Sequence, residues 1–254
     1  MTVFYFTGTG NSLAVAKHIG GTLIPIPQVV NSPNLSYTDD AIGVVFPIYS
    51  LTTPKMVRQF LDKAHFEADY IFAIGTYGNM PGAAMLNLQK QAQKNGYRFH
   101  YANHLLMLDN FLPVFEVEAQ VRKLPNKKVE EMTAKIVEDI NKRKQMKATA
   151  SLVSRAVTAM VSPMINSAGK KAQGFIINSN CNKCGICAKV CPAKNITVTD
   201  KVNFESQCEW CMGCLHHCPQ NALHLKNEKS SKRWRNPEVS LNEIITANNR
   251  NQEQ

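Results

Sequence analysis

The sequence lacks the features that mark several common classes of protein. No uninterrupted run of about eighteen apolar residues occurs, so we expect no transmembrane helix. The first residues, MTVFYF, are typical of a strand and not of a signal peptide. The net charge is +10, but the basic residues are scattered and form no recognised nucleic-acid-binding module. We therefore expect no nucleic-acid partner.

Cysteine is absent from the first 180 residues, and all eight cysteines lie in the last third of the chain. A chain of 254 residues can form one large domain or two modest ones, and this distribution favours two. We predict a first domain over residues 1–147, a helical linker over 148–173, a small cysteine-rich domain over 174–228 and a basic tail over 229–254.

The cysteines form two copies of the run C-x2-C-x2-C-x3-C-P, 27 residues apart. Bacterial ferredoxins hold [4Fe–4S] clusters with this run, and the fourth cysteine of each copy ligates the other cluster. We therefore predict two [4Fe–4S] clusters. The predicted ligands of the first are Cys181, Cys184, Cys187 and Cys218, and those of the second are Cys208, Cys211, Cys214 and Cys191.

Disulfides and structural zinc are the other common uses of closely spaced cysteines. Disulfides need an oxidising compartment, for which the sequence carries no signal. Zinc sites usually combine two Cys-x-x-Cys pairs, without three evenly stepped cysteines and a following proline. Clusters with reduced thiolate ligands favour a cytoplasmic protein that moves electrons.

The first 147 residues alternate apolar runs with helical patterns, which predicts a parallel sheet with helices on both faces. The predicted strands are residues 3–6, 22–25, 41–46 and 70–75, with a weaker fifth at 100–106. Helical patterns follow at residues 13–19, 55–63, 83–94 and 127–147. In such sheets ligands bind beyond the carboxyl ends of the strands.

The loop after the first strand combines glycine with hydroxyl and amide side chains. Its residues are Thr7, Gly8, Thr9, Gly10, Asn11 and Ser12. Such a loop before a helix predicts an anion pocket, because backbone N–H groups and the helix N-terminus face the ligand. The loop has no lysine, which excludes a Walker A motif, and no third glycine at the dinucleotide spacing.

Three later loops are also expected at this edge of the sheet. Tyr49 and Tyr77 are suited to lie against a flat aromatic ring, although ordinary packing explains either one alone. The residues predicted to surround such a ring are Pro47, Ile48, Tyr49 and Ser50, then Thr76, Tyr77, Gly78 and Asn79, then Asp109 and Asn110.

The stretch VFYFTGTGNSLAVA at residues 3–16 resembles the signature of flavodoxins. The resemblance implies a flavodoxin-like doubly wound α/β fold with a five-stranded parallel sheet, and FMN whose phosphate lies in the first loop. Together with the cysteine runs, the chain is similar to the flavodoxin–ferredoxin fusion proteins of anaerobic prokaryotes. The second domain would then be a small α+β ferredoxin domain with two clusters.

The resemblance implies an electron-transfer protein that relays low-potential electrons between FMN, the two clusters and a redox partner. The alternative is an FMN-dependent reductase of a small acceptor, supplied through the clusters, but no catalytic pair of residues stands out. A redox sensor is a third class, and no DNA-reading helix accompanies the cysteines. The positive charge favours an acidic partner such as a ferredoxin, a flavodoxin or an oxidoreductase.

Residues 150–166 carry an apolar stripe that includes Leu152, Ala156 and Met160, opposite Arg155 and Thr158. We expect a bridging helix whose apolar face packs on one of the domains. A membrane-surface helix is possible but less favoured, because the polar face lacks dense basic residues.

Overall fold

The computed structural model describes residues 1–167, 172 and 174–249. Residues 168–171 and 173, within the predicted linker, and residues 250–254, at the end of the predicted tail, lie outside the described residues.

The predicted strands and helical patterns of the first domain are found in the same order along the chain, together with short elements that were not predicted. The strands are β1 (Thr2–Tyr5), β2 (Thr22–Pro25), β3 (Ser36–Thr38), β4 (Ala41–Pro47), β5 (His65–Glu67), β6 (Tyr70–Tyr77), β7 (Tyr101–Leu106), β8 (Ile176–Ile177), β9 (Ile196–Val198), β10 (Val202–Phe204) and β11 (Leu223–His224). The α-helices are α1 (Asn11–Ile19), α2 (Ile26–Val29), α3 (Lys55–Lys63), α4 (Ala84–Lys94), α5 (Val117–Arg122), α6 (Val129–Asn141), α7 (Leu152–Val161), α8 (Ile186–Lys189), α9 (Gly213–His216) and α10 (Leu241–Asn248). In the part of the chain that the structure describes, two 3-10 helices span Leu124–Lys127 and Ser162–Ser167.

The main sheet contains five parallel strands in the order β2-β1-β4-β6-β7. This is the flavodoxin-like doubly wound order, so the predicted fold class is confirmed. The order reverses between β1 and β4, which makes the crevice beyond their carboxyl ends the expected ligand position. A short parallel pair, β3 with β5, was not predicted.

The core lies on both faces of this sheet. Helices α1 and α6 pack on one face, where Leu13 and Ile136 are buried, and α3 and α4 pack on the other. Gly43 of β4 is paired with Phe72 of β6. A Cβ atom at Gly43 would lie 2.2 Å from the Phe72 ring, so the glycine makes room for that ring in the core.

Helix α7 differs from the expectation that its apolar face packs on a domain. Leu152 and Met160 are 78% and 80% exposed, whereas Thr158 is buried and its Oγ1 accepts the backbone N–H of Ala83 at 2.8 Å. The helix therefore packs through its hydroxyl-bearing side, because that side supplies an acceptor to the turn before α4. The predicted orientation of the apolar stripe is wrong.

The cysteine-rich region is built from short paired elements. Strand β9 pairs with β10, and β11 pairs with β8, both antiparallel. Strands β9 and β11 each follow a Cys-Pro corner, one after each cysteine run. Their apolar residues join a core cluster that also contains Leu112 and Val117 from the segment after β7.

The C-terminal segment packs on the first domain. Ser240 and Glu243 form a capping box at the start of α10. The Lys17 ammonium on α1 pairs with the Glu243 carboxylate at 2.7 Å, and Ile244 is buried against the α1 side of the sheet. Within the described part of the chain, no helix has the length and apolar character needed to cross a membrane.

Candidate iron–sulfur centres at the carboxyl edge of the sheet

The four cysteines predicted for the first cluster line one cavity, which we name site A: Cys181, Cys184, Cys187 and Cys218. Three belong to the first cysteine run and one to the second. Gly185 takes a left-handed conformation (φ 77°) at the start of α8, which turns the chain between Cys184 and Cys187. Val198 of β9, with Val202 and Leu223, completes the wall.

The other four cysteines line a second cavity, site B: Cys191, Cys208, Cys211 and Cys214. Apolar side chains close it, among them Phe175, Phe204 and Met212. Phe175 stacks on Trp210 with ring centroids 5.5 Å apart and meets Phe204 edge to face. Such a wall keeps water from the sulfur atoms.

Backbone N–H groups donate to several of the sulfurs. Asn195 donates to the Cys191 Sγ at 3.3 Å, and Ala222 donates to the Cys218 Sγ at 3.2 Å. These two bonds are 27 residues apart, so the repeat in the sequence is also a repeat in geometry. Trp210 donates to the Cys208 Sγ at 3.3 Å. Hydrogen bonds to sulfur stabilise the anionic form that a cluster needs.

The two sites differ in how deeply their cysteines are buried. Cys184 of site A is exposed, whereas no cysteine of site B is. Burial raises the pKa of Cys208 to about 12 and that of Cys187 to about 11. It also raises the pKa of Cys211 and Cys214. Buried thiolates of this kind require positive charge beside them, which iron supplies. The donor sets therefore fit [4Fe–4S] clusters.

A single metal ion is a different case. Among the residues that the structure describes, no three His, Cys, Asp or Glu side chains converge as ligands of one ion.

The ligand loop of site B (residues 208–214) also docks on the first domain. The Glu209 carboxylate accepts the backbone N–H groups of Lys55 at 3.0 Å and Met56 at 2.8 Å, in the first turn of α3. It thereby satisfies two of the donors that a helix N-terminus leaves free. Burial raises the pKa of Glu209.

The four side chains predicted to hold an anion in the first loop bond to protein atoms. The Thr7 Oγ1 accepts the Gly10 N–H, and the Ser12 and Thr76 hydroxyls share a hydrogen bond of 2.8 Å. The Asn110 amide donates to the Thr9 Oγ1 at 2.6 Å. Asn11 donates to the Leu108 carbonyl and accepts from the Asn236 amide.

The glycines of this loop touch other parts of the chain. A Cβ atom at Gly8 would lie 3.0 Å from both the Cβ and the carbonyl oxygen of Cys211. The same atom would lie 2.8 Å from the Tyr49 hydroxyl oxygen. At Gly10 it would lie 2.9 Å from the Cβ of Asn236. Site B and the C-terminal segment thus lie directly on the loop.

The later loops meet at the same edge, as predicted, but they contact each other and the cysteine-rich region. Tyr49 is half-buried and lies edge-on to Phe6, and Tyr77 lies edge-on to His104. Pro47, Ile48 and Ser50 are half-buried beside Tyr49, Thr76 is buried, and Asn79 is exposed.

Gly78 and Asp109 are in contact at this edge. A Cβ atom at Gly78 would lie 2.3 Å from that of Asp109. Burial raises the pKa of Asp109, and the nearby Lys127 ammonium, which opposes this shift, donates to the Gly78 and Met107 carbonyls. The contact joins the third and fourth loops.

His216 links the fourth loop to the cysteine-rich region. Its Nε2 donates to the Asn110 carbonyl at 2.8 Å, and its Nδ1 accepts the Trp234 N–H at 3.2 Å. These partners require the neutral ring with the proton on Nε2. Burial lowers the pKa of His216 to about 4, in agreement with that form.

Sequence reasoning missed Glu209, His216, Lys127 and Asn236 as residues of this edge. Glu209 and His216 stand beside cysteines in the sequence, which was the one available signal. Asn236 and Lys127 carry no signal, because an isolated polar residue in an irregular segment has no periodicity to interpret.

Comparison with known proteins identifies one sequence family. Residues 175–197 match the family described as "4Fe-4S binding domain", so the chain carries an iron–sulfur binding sequence there. No curated protein matches the chain.

Solved structures of two proteins are among those that match this chain. One is the two-electron reduced flavodoxin of Megasphaera elsdenii, 16% identical, covering 41% of this chain and 83% of that one, with a TM-score of 0.30. The other is an azoreductase of Bacillus anthracis, 14% identical, covering 56% of this chain and 98% of that one, with a TM-score of 0.31. The fold of the first domain therefore rests on its own strand order.

Proposed function

We propose that the protein is an electron-transfer protein with two [4Fe–4S] clusters, one at site A and one at site B. The observation that carries the proposal is the interleaving of the cysteines. Each cavity takes three cysteines from one run and the fourth from the other, the arrangement of two-cluster ferredoxins. The three evenly stepped cysteines and the following proline of each run are typical of such clusters and not of zinc sites.

When bound, each cluster supplies a carrier of one electron at a time. The chain contributes two different surroundings. Phe175, Phe204 and Met212 exclude water from site B, whereas Cys184 leaves one side of site A open to solvent. Solvent exposure and hydrogen bonds to sulfur set reduction potentials, so we expect two distinct values. We expect a partner to exchange electrons at site A, because it is the more exposed of the two sites.

The surface beside site A favours an acidic redox protein. Lys183 lines the cavity and is exposed, and the exposed Lys201 directly precedes Val202 of the cavity wall. With a net charge of +10, the protein attracts acidic partners and speeds their encounter. The same charge gives the reaction a dependence on ionic strength.

The predicted FMN is not part of this proposal, because protein atoms lie in the crevice that would hold it. The reductase alternative depended on that flavin. Two groups of this edge that could donate a proton are engaged with the protein: the Asp109 carboxylate accepts the Phe111 N–H, and Tyr77 packs on His104.

The proposal is tested by anaerobic purification with iron and sulfide quantified. We expect about eight irons and eight sulfides per chain, and two paramagnetic species on reduction. The reduced protein should pass electrons to an acidic ferredoxin or flavodoxin faster than to small oxidants of equal potential. Bound zinc, or about two irons per chain, would overturn the cluster assignment.

A further inference from the structure

The crevice between β1 and β4 is the position at which the flavodoxin-like strand order places its ligand. One wall is the loop after β1, residues 7–10, and the other is the loop after β4, residues 48–54. In this protein the crevice contains the ligand loop of site B, which touches both walls.

Contact with the first wall is direct. Cys211 lies so close to Gly8 that a Cβ atom on Gly8 would be only 3.0 Å from the Cys211 Cβ and carbonyl oxygen. Gly213 approaches the same residue from its other side, since a Cβ atom there would lie 3.1 Å from the Gly8 carbonyl oxygen. Gly8 and Gly213 can therefore approach each other this closely only because neither has a side chain. Gly8 has an ordinary backbone conformation, so close approach is the reason for glycine here.

Contact with the second wall is polar. Glu209 caps the first turn of α3, which begins directly after this wall. The Tyr49 ring lies between the two walls, with its hydroxyl over Gly8. Tyr49 and the backbone of residues 209–213 therefore occupy the space in which a stacked flavin ring is expected.

The C-terminal segment fixes the loop from a third side. The Asn236 N–H donates to the Thr9 carbonyl at 2.9 Å. The Asn248 amide, which is buried, donates both to the Thr7 carbonyl and to the Val190 carbonyl between two cysteines. One side chain thus joins the first loop of the sheet to the cysteine-rich region.

We propose that site B replaces FMN as the redox centre at this crevice, so that the folded protein carries iron and sulfide but no flavin. The first loop does not fit a bound FMN phosphate, because Cys211 and Tyr49 cover Gly8 and Asn236 covers Gly10. The loop serves instead as the surface on which Cys211 packs. This inference rests on the proposed cluster function.

The first test is the cofactor content of the anaerobically purified holoprotein. We expect about eight irons per chain and no stoichiometric flavin, and no saturable quenching of fluorescence when free FMN is added. Stoichiometric flavin beside a full iron content would overturn this inference and leave the cluster function standing. Absence of iron would overturn both. FMN binding only after iron removal would support the inference, because it shows competition for one space.

A pair of variants in the loop tests whether Cys211 packs on Gly8. In Gly8→Ala, the new methyl group must displace Cys211 or Tyr49 by several tenths of an ångström. We expect a shifted paramagnetic spectrum for one cluster, the same cluster whose signal Cys208→Ala removes. The control is Ser12→Ala in the same loop, which loses its bond to Thr76 but touches no part of site B.

Ser12→Ala should therefore leave both cluster spectra unchanged. An unchanged spectrum in Gly8→Ala would contradict the packing of Cys211 on the first loop. So would a loss of bound flavin in Ser12→Ala. If Gly8→Ala does not fold, the flavin content of the wild-type protein decides the question.

Discussion

The Glu209 carboxylate accepts the backbone N–H of Met56 at 2.8 Å, across 153 positions of sequence. It also accepts that of Lys55, so a residue between two cluster ligands serves as the N-terminal cap of a helix in the other domain. The position of site B over the sheet therefore depends on a bond that neither domain could make alone.

Removal of this cap should weaken the protein measurably. We expect Glu209→Ala to lower the free energy of unfolding by about 1–3 kcal/mol, because buried N–H groups lose their acceptor. Glu209→Gln keeps one acceptor oxygen and should lose less. Denaturation of the anaerobic holoprotein measures both. Glu205→Ala is the control, since this exposed side chain should contribute no more than about 0.5 kcal/mol. Equal stability of the two alanine variants would contradict the capping role.

The exchange of cysteines between the runs has a spectroscopic consequence. Cys218→Ala and Cys181→Ala should lose the same paramagnetic species, because both residues line site A. Cys191→Ala and Cys208→Ala should lose the other species. Each variant should retain about half of the iron. If Cys218→Ala and Cys208→Ala lose the same species, the ligands are grouped by run and the assignment fails.

The sequence was sufficient for the sheet and for the grouping of the eight cysteines in two cavities. Buried parallel strands such as β4 and β6 are continuous apolar runs, so their positions could be predicted without any tertiary contact. The cysteine runs have a fixed spacing that depends on cluster geometry. These two signals are local, and local signals are visible in one sequence.

The surroundings of the crevice could not be predicted, because they depend on contacts distant in sequence. The first loop matches a phosphate loop residue for residue, yet whether Gly8 faces a ligand or Cys211 is decided 203 positions later in the chain. Helix α7 shows a related difficulty. Periodicity identified its apolar face but could not reveal that Ala83 needs the Thr158 hydroxyl as an acceptor.

The orientation of α7 can be checked with two substitutions on opposite faces. Thr158→Val keeps the shape of the buried side chain but removes the acceptor of the Ala83 N–H. We expect a loss of about 1–3 kcal/mol of unfolding free energy. Met160→Gln, on the exposed face, should change stability by no more than about 0.5 kcal/mol. The opposite ranking would mean that the apolar face is the packed one.

The positive surface at site A should control encounter with an acidic partner. We expect Lys201→Glu to slow electron transfer to an acidic carrier several-fold at low salt and to weaken its dependence on ionic strength. Iron content should stay unchanged, because Lys201 lies outside both cysteine runs. The control is Lys94→Glu at the end of α4, since parallel α/β units place that end at the opposite edge of the sheet. An equal effect of both variants would indicate a dependence on net charge alone.

The cap of α10 should stabilise the C-terminal segment that covers the first loop. The Ser240 Oγ accepts the Glu243 N–H, and the Glu243 carboxylate accepts that of Ser240. We expect Ser240→Ala to cost about 1 kcal/mol of unfolding free energy, whereas the exposed Asn242→Ala should be near neutral. Hydrogen exchange of the α10 amides, measured beside denaturation, locates the loss.

The Ser240→Ala effect should not change between pH 6 and pH 8, which are about 1.5 units or more above the reference pKa of a glutamate. The hydrogen bond from Lys17, with those from Ser240, lowers the pKa of Glu243 to about 2. A carboxyl whose pKa is lowered by folding contributes its full stabilisation above the unfolded value, and loses it only as the pH falls towards the folded value. Glu243 is therefore ionised throughout this range. A Ser240→Ala effect that grows or vanishes between these pH values would mean that another titrating group, and not the capping box, holds α10 in place.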